Sequence, residues 1–153
     1  QVAAGLAYFT PVEGRGNAAV TKSGAVVVDE SYNANPDSVR CAVEALLSQA
    51  YIQPEKIVVL GEMAELGDYT QSLHHELGQW LKNKPLNLLV TVGAVARDIA
   101  NGADGAEFGI EPVEEQSQVL NILGRRLNES VCVMVKGSHC TNLDELVRQL
   151  HNQ

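Results

Sequence analysis

The stretch AVVVDESYNANP, from Ala25 to Pro36, joins an uninterrupted apolar run to a polar loop and a helix start. Valine-rich runs without alternating polar residues are typical of strands that are covered on both faces, as in a parallel sheet. Comparable runs occur at IVVL (57–60), LLVTV (88–92) and VCVMV (131–135), with a weaker one at AEFGI (106–110). The sequence therefore predicts a sheet that is mainly parallel.

Segments with helical spacing separate these runs. Asn35 suits an N-cap and Pro36 suits the first helical turn, and apolar residues then recur three and four positions apart. The same kind of spacing predicts helices at 73–81, 119–127 and 143–150. We also expect a short helix at 95–100 and the end of a helix within 1–9. AAV and AVVV, separated by TKSG, predict a hairpin at the sheet edge. Together these patterns predict one α/β domain over residues 1–153. It would be Rossmann-like and doubly wound, with an N-terminal edge hairpin and helices on both faces.

The composition is that of an ordinary globular domain. The 153 residues are 45% hydrophobic and 20% charged, which allows a sizeable core. The net charge of -8 argues against a general nucleic-acid binder, which needs a basic surface against phosphates. No apolar run approaches the roughly 20 residues of a membrane helix, and no leader resembles a signal peptide. The chain begins at Gln1 rather than at methionine, so we expect a piece of a longer protein.

The three cysteines do not form a C-x-x-C pair, and their number is odd. This usage favours a reducing cytoplasm over a disulfide framework. We expect Cys41, within a helical pattern, and Cys132, within an apolar run, to be buried thiols. Cys140 follows a Gly-Ser turn and is expected at the surface. Its neighbour His139 does not make it a nucleophile, because adjacent residues seldom face each other.

Unusual loops follow four of the predicted strands: DESYNAN, GEMAELGD, GAVAR and KGSHC. Because ligands of open α/β sheets bind beyond the carboxyl ends of the strands, these loops predict one site at one edge. In KGSH, Lys136 supplies a positive charge and Gly137 permits close backbone approach. Ser138 and the N–H groups behind it can hold a carboxylate or phosphate. The alternative is that Ser138 or Thr141 caps the last helix.

Other patterns carry less functional weight. The three acids of GEMAELGD (61–68) could receive an ammonium group or Mg²⁺, but their spacing favours a solvated loop. GRGNAA (14–19) matches G-x-G-x-x-A but precedes the predicted hairpin rather than a helix, so it is not a dinucleotide fingerprint. No G-x-x-x-x-G-K-[ST] phosphate loop is present. His74 and His75 would point about 100° apart on a helix, and we predict no metal site in this chain.

Three blocks closely resemble the C-terminal domain of the Mur ligases: DESYNANPDSV, VVLGEMAELGDYTQSLHHELG and VMVKGSHCTNLDELVRQL. They occur in the family's order and span nearly the whole chain. The leading GLAYFTPVEGR also resembles the passage from the family's central domain, which places residues 1–12 in that connection. Within the family, SYNANP and LGEMAELG resemble the branch that adds D-alanyl-D-alanine. The alternatives are another Mur or folylpolyglutamate-type ligase and a non-catalytic Rossmann-like binding module.

The resemblance implies that this chain is the third domain of an ATP-dependent ligase. A missing N-terminal domain would bind the UDP-muramyl peptide, and a missing central domain would carry the ATP phosphate loop and the Mg²⁺ ligands. ATP would convert the terminal carboxylate of UDP-N-acetylmuramoyl-tripeptide into an acyl phosphate, and D-alanyl-D-alanine would attack it, giving a peptidoglycan precursor. The third domain would close over ATP, help to bind the dipeptide and be inactive alone. The enzyme is expected to be a monomer in the bacterial cytoplasm.

The resemblance also implies the site residues. Nucleotide contacts are expected from Arg15, Glu30, Tyr32, Asn33 and Asn35. Amino-substrate contacts are expected from Lys136, Gly137, Ser138 and His139. The sequence departs from the family pattern in two places. Asp29-Glu30 stands where the family commonly has two aspartates, and His139-Cys140 stands where it often has an Arg-Ser pair.

Overall fold

The computed structural model describes residues 14–153, in which six strands form one sheet. The strands are β1 (Asn17–Val20), β2 (Val26–Glu30), β3 (Glu55–Leu60), β4 (Leu88–Val92), β5 (Gly109–Val113) and β6 (Val131–Lys136). Their order across the sheet is β1-β2-β6-β3-β4-β5, with β1 antiparallel to β2 and all other neighbours parallel. The mainly parallel sheet with its edge hairpin is therefore confirmed. The predicted end of a helix within 1–9 and the connection over 1–12 lie outside the described residues.

Helices cover both faces of the sheet, as predicted. They are α1 (Pro36–Leu47), α2 (Thr70–Leu81), α3 (Arg97–Gly102), α4 (Gln116–Leu123) and α5 (Leu143–His151), with 3₁₀ turns at Gly67–Tyr69 and His139–Thr141. Apolar residues of α1, α2 and α3 share one core with one face of the strands, and those of α4 and α5 share a second core with the other face. Within residues 14–153 no helix has the length and apolar character that a bilayer span requires.

The start of α1 shows how the sequence positions the loop before it. The Asn35 side chain accepts the Ser38 N–H at 2.8 Å, and the Ser38 hydroxyl oxygen accepts the Asn35 N–H at 3.0 Å, which closes a capping box. The prediction that Asn35 is the N-cap is confirmed. The prediction that Cys41 is buried is wrong, because α1 turns Val39, Ala42, Val43 and Leu46 toward the core and leaves Cys41 exposed.

Helices α2 and α3 touch through their backbones. A Cβ added at Gly78 would lie 2.0 Å from the Ile99 carbonyl oxygen, and one added at Gly102 would lie 2.0 Å from the His75 carbonyl oxygen. Neither position can hold a larger residue without moving a helix. This contact, which the sequence alone did not predict, fixes α2 against α3.

Other element boundaries differ from the predictions. The weak strand predicted at 106–110 lies instead at Gly109–Val113, because β5 begins where Gly109 pairs with Leu88. Phe108 belongs to the turn before β5 and packs into the first core from there. Helix α3 begins at Arg97 rather than at 95, and α4 ends at Leu123, so Leu127 packs into the second core from the following turn.

Candidate functional site

The loops converge at one edge of the sheet, as predicted. Strands β2, β6, β3 and β4 run parallel, so the segments after Glu30, Lys136, Leu60 and Val92 leave the sheet at the same edge. Three cavities open there. We call them the cationic, the mixed and the acidic cavity, after the charged groups that line each.

The cationic cavity has a volume of about 430 Å³ and lies beyond β2 and β6. Its lining comprises Gly14, Arg15, Glu30, Tyr32, Asn33, Asn35, Ser38 and Lys136. All five residues predicted to contact the nucleotide are therefore brought together. Lys136, predicted with the amino-substrate residues, also lines this cavity. Two cations and one carboxylate give it a net positive lining, which suits a phosphate-bearing ligand.

Lys136 is 4% exposed and held by two acceptors. Its Nζ donates to the Asn33 carbonyl oxygen at 2.7 Å and lies 3.6 Å from Glu30 Oε2. Burial lowers the pKa of Lys136 from its ordinary value, and the Glu30 carboxylate partly opposes this shift by favouring the charged form. Lys136 thus ties the end of β6 to the loop after β2 and leaves its charge at the cavity wall.

Arg15 and Tyr32 form a cation–π pair in the lining of the cationic cavity. The Arg15 guanidinium carbon lies 4.3 Å from the centroid of the Tyr32 ring, a cation–π distance. The segment that carries Arg15 is fixed on both sides, since the Tyr32 N–H donates to the Gly14 carbonyl and the Gly16 N–H donates to the Asp29 carbonyl. Gly14 has φ of +78°, and a Cβ there would lie 2.9 Å from the Tyr32 nitrogen, so glycine is required for this approach.

The two adjacent acids at the end of β2 have different surroundings. Asp29 is buried, and its Oδ1 accepts the Ser31 N–H at 3.0 Å and the Ser31 hydroxyl at 2.6 Å, which shapes the turn. Glu30 lines the cavity beside Lys136. The acid that departs from the family pattern is therefore the one that faces the cavity.

The mixed cavity, of about 380 Å³, adjoins the cationic cavity. It is lined by Tyr32, Asn33, Ala64, Glu65, Ser138, His139 and Cys140. Tyr32 and Asn33 belong to both cavities, and the Tyr32 and His139 ring centroids are 6.4 Å apart. Two of the four residues predicted for the amino substrate, Ser138 and His139, therefore lie in a second compartment beside the first.

Ser138 joins three loops rather than capping a helix. Its hydroxyl accepts the Ala64 N–H at 2.7 Å and donates to the Ala34 carbonyl at 3.4 Å, while its own N–H donates to the Glu62 carbonyl. Neither capping prediction holds. Ser138 caps no N–H of the turn that follows it, and α5 begins at Leu143 after an N-cap residue, Asn142, that makes no side-chain cap.

Gly137 is needed for packing at the same point. A Cβ there would lie 2.7 Å from both Thr141 Oγ1 and Leu143 Cδ1, and 3.2 Å from the Gly61 Cα. The strand ends of β3 and β6 are thus pressed together just below the loops that line the mixed cavity.

Sequence reasoning missed the part that His74 plays. The ring is completely buried; its Nε2 accepts the Met63 N–H at 3.0 Å, and its Nδ1 lies 2.6 Å from the Thr70 carbonyl oxygen. These partners require the neutral tautomer with the proton on Nδ1. His74 therefore fixes the GEMAELGD loop from beneath. The only available signal was a histidine on the apolar side of α2.

The acidic cavity lies at the other end of the same edge, beyond β4 and β5. It has a volume of about 490 Å³, and Glu62, Glu114 and Glu115 are among its lining residues. Across residues 14–153, no group of three or more His, Cys, Asp or Glu side chains is arranged to hold a metal ion. Glu65 and Asp68, which share a loop with Glu62, do not line this cavity.

Comparison with known proteins defines the family. The sequence pattern of "Mur ligase, glutamate ligase domain" matches residues 14–139. The UDP-N-acetylmuramoyl-tripeptide–D-alanyl-D-alanine ligase of Haemophilus influenzae is 27% identical over 99% of this chain and 33% of its own length. The chain thus spans about a third of this relative. It belongs to the Mur ligase family.

Solved structures agree with this assignment. A MurF structure from Acinetobacter baumannii superposes with a TM-score of 0.84 at 31% identity, over 97% of this chain and 32% of that one. The MurF ligase of Thermotoga maritima in complex with ADP superposes with a TM-score of 0.78 at 28% identity, over 95% and 32%. The fold predicted from the sequence is therefore that of a Mur ligase C-terminal domain.

Proposed function

We propose that this chain is the C-terminal domain of an ATP-dependent ligase that joins D-alanyl-D-alanine to UDP-N-acetylmuramoyl-tripeptide. The names of the relatives support this substrate pair, and the ADP complex of the Thermotoga maritima protein supports ATP as the nucleotide. The rest of the enzyme would consist of an N-terminal domain for the UDP-muramyl peptide and a central domain. The whole would act as a cytoplasmic monomer.

One observation carries the proposal. The cationic and mixed cavities adjoin and share Tyr32 and Asn33. Transfer through an acyl phosphate requires this adjacency. A carboxylate oxygen of the tripeptide receives the γ-phosphoryl group, and the amine must then reach the carbonyl carbon that bears this oxygen. The amine nitrogen forms a bond to that carbon, the bond from carbon to the phosphate oxygen breaks, and inorganic phosphate and a proton leave.

In this scheme the residues of this chain bind and orient. Arg15 and Lys136 would attract the phosphates. Tyr32 would offer its ring and hydroxyl at the boundary between the two cavities, and Glu30 would accept hydrogen bonds from the ribose hydroxyls. Ser138, Gly137 and His139 would shape the compartment for the dipeptide. Mg²⁺ does not fit the described residues, so its ligands are proposed to lie in the central domain and no step here depends on it.

Turnover by the full-length enzyme tests the proposal. The wild type should form an amide and release phosphate when given ATP, UDP-N-acetylmuramoyl-tripeptide and D-alanyl-D-alanine. Activity with free glutamate instead would indicate another branch of the family. Absence of phosphate release with every amine tried would favour a non-catalytic module.

Tyr32 and Tyr69 provide a matched pair of variants. Both side chains are exposed, by 46% and 71%, but only Tyr32 lies at the cavity boundary. Tyr32→Ala should raise the KM for ATP roughly tenfold, in line with loss of one stacking partner. Tyr69→Ala should leave it within twofold. Equal effects of the two variants would remove Tyr32 from the proposed nucleotide site.

A further inference from the structure

Glu65 has an unusual backbone conformation at the mixed cavity. Among residues 14–153 only Glu65 and Asn142 are non-glycine residues with positive φ, and Glu65 has φ of +63°. Asparagine tolerates this left-handed region, whereas glutamate adopts it at a cost of about 1 kcal/mol. The surrounding structure must therefore impose the conformation.

The imposing contacts are immediately N-terminal to Glu65. The Met63 N–H donates to the buried ring of His74, and the Ala64 N–H donates to the buried hydroxyl of Ser138. Two consecutive backbone groups are thus anchored to side chains from α2 and from the end of β6. The loop is fixed at the residue before the glutamate, and Glu65 then lies at the cavity wall.

The Glu65 side chain is exposed where it lines the mixed cavity. Within the described part of the chain its carboxylate takes part in no hydrogen bond or ion pair, whereas Glu30 at the adjoining cavity is paired with Lys136. The other polar groups of the mixed cavity come from Tyr32, Asn33, Ser138 and His139. A carboxylate and a histidine in the lining of one cavity complement a ligand that carries both an ammonium group and a carboxylate.

We propose that Glu65 binds the ammonium group of the incoming amino substrate and is the residue that selects a free N-terminal amine. His74 and Ser138 are its positioning residues. This inference rests on the proposed function for the identity of the dipeptide, but the charge complementarity applies to any amino substrate of the ligase. The shared wall at Tyr32 and Asn33 places the bound amine beside the nucleotide cavity.

The test uses the full-length enzyme with Glu65→Gln and Glu65→Gly. Glu65→Gln removes only the charge. Glu65→Gly also removes the side chain but relieves the left-handed backbone, so it should melt at a temperature no lower than the wild type. Glu62→Gln is the matched control, because it removes a carboxylate from the same loop that lines the acidic cavity instead.

Both Glu65 variants should raise the KM for D-alanyl-D-alanine roughly ten- to hundredfold, the effect of losing a charge-assisted hydrogen bond, while the KM for ATP stays within twofold. N-acetyl-D-alanyl-D-alanine lacks the ammonium group. For the wild type its inhibition constant should be much higher than the KM for the dipeptide, and in the Glu65 variants the ratio of these two constants should be smaller. Glu62→Gln should resemble the wild type. A change below twofold in the dipeptide KM, or an equal change in the KM for ATP, would overturn the assignment.

A panel of amines separates failure of this inference from failure of the proposed function. If the wild type releases phosphate with a different amino acid, the proposed substrate is wrong, and Glu65→Gln should still raise the KM for that amine. If the Glu65 variants then match the wild type, the inference about Glu65 fails as well. If no amine supports phosphate release by the wild type, both are overturned.

Discussion

Two buried lysines on neighbouring strands have nearly the same bonding and different surroundings. Lys56, in β3, is 8% exposed and donates from Nζ to the Tyr51 carbonyl at 2.7 Å. Lys136, at the end of β6, is 4% exposed and donates to the Asn33 carbonyl at the same distance. Near Lys56 the Tyr51 ring centroid lies at 6.0 Å, whereas near Lys136 the Glu30 carboxylate lies at 3.6 Å.

Burial and hydrogen bonding are similar for the two lysines, so they do not separate a binding role from a structural one. Lys56 lies near the start of its strand and Lys136 at the carboxyl end of its own, where ligands of open α/β sheets bind. Lys136 also lines a cavity with Arg15 and Tyr32. We therefore propose that Lys56 serves stability alone and that Lys136 serves both stability and ligand binding, and variants at the two positions test that division.

The largest expected effect is on turnover by the full-length enzyme. Lys136→Met should lower kcat/KM for ATP by about two orders of magnitude, because it removes a desolvated cation from the proposed phosphate site. Lys56→Met should stay within threefold at a temperature at which both variants are folded. If Lys56→Met lowers kcat/KM as much as Lys136→Met does, position at the carboxyl edge is not what separates the two lysines.

The next effect concerns the free energy of unfolding. Lys136→Met should lower the free energy of unfolding by about 2–3 kcal/mol, because the Glu30 carboxylate loses its counter-charge and the Asn33 carbonyl loses its donor. Glu30 is partly exposed, which keeps this loss below that of a fully buried pair. Lys56→Met should cost about 1 kcal/mol, the value of one hydrogen bond. Urea denaturation measures both.

The double variant Lys136→Met with Glu30→Gln isolates the charge pair. It should regain about 1 kcal/mol relative to Lys136→Met without regaining turnover, since the unpaired carboxylate is gone but the cation is still missing. Recovery of turnover together with stability would show that Lys136 acts only by holding the fold.

The dependence of stability on pH should distinguish the surroundings of Lys56 from those of Lys136. Cys132 pairs with Lys56 across the sheet, and burial raises the pKa of its thiol from 9.0 to about 11, although Lys56 partly opposes the shift. Between pH 9 and 11 the unfolded chain releases this proton and the folded chain retains it, so stability should fall with pH by about 2 kcal/mol. Cys132→Ala should remove that slope.

Lys136 should give a dependence of the opposite sign. Its pKa is lowered in the folded state, so below the ordinary lysine pKa the unfolded chain binds more protons, and stability rises with pH. Each variant is compared with the wild type over the same pH range. The difference between their slopes of stability against pH then reports only the group that was replaced. A flatter fall in Lys136→Met than in the wild type would contradict the direction assigned to Lys136.

The sequence predicted the elements whose causes are local. Continuous valine runs are typical of covered strands, and Asn35 with Pro36 defines a helix start without reference to any other segment. It failed where the cause is a distant contact. The backbone contact between Gly78 and Gly102 depends on how two helices cross, and β5 is a polar edge strand that contains Pro112, so it has little strand signal.

The site was predictable as a place but not as a set of contacts. Strand ends predicted that the loops would converge, and the family resemblance named the residues. Neither showed that Lys136 would line the same cavity as Arg15 and Tyr32, or that it would pair with Glu30, which lies 106 positions earlier in the chain. Nor did they show the ties from His74 to Met63 and from Ser138 to Ala64, because such partners are set by packing.

The smallest expected effect comes from the ion pair between Arg97 and Glu114 at the acidic cavity. Both side chains are 53% exposed, so water screens the pair, and Glu114→Gln should change the free energy of unfolding by no more than about 0.5 kcal/mol. The KM for ATP should stay within twofold, because the acidic cavity repels phosphates. A marked fall in that KM would mean that charges across the whole sheet edge, including the acidic cavity, affect nucleotide binding. The contrast between the cationic and acidic ends would then describe a gradient rather than two separate sites.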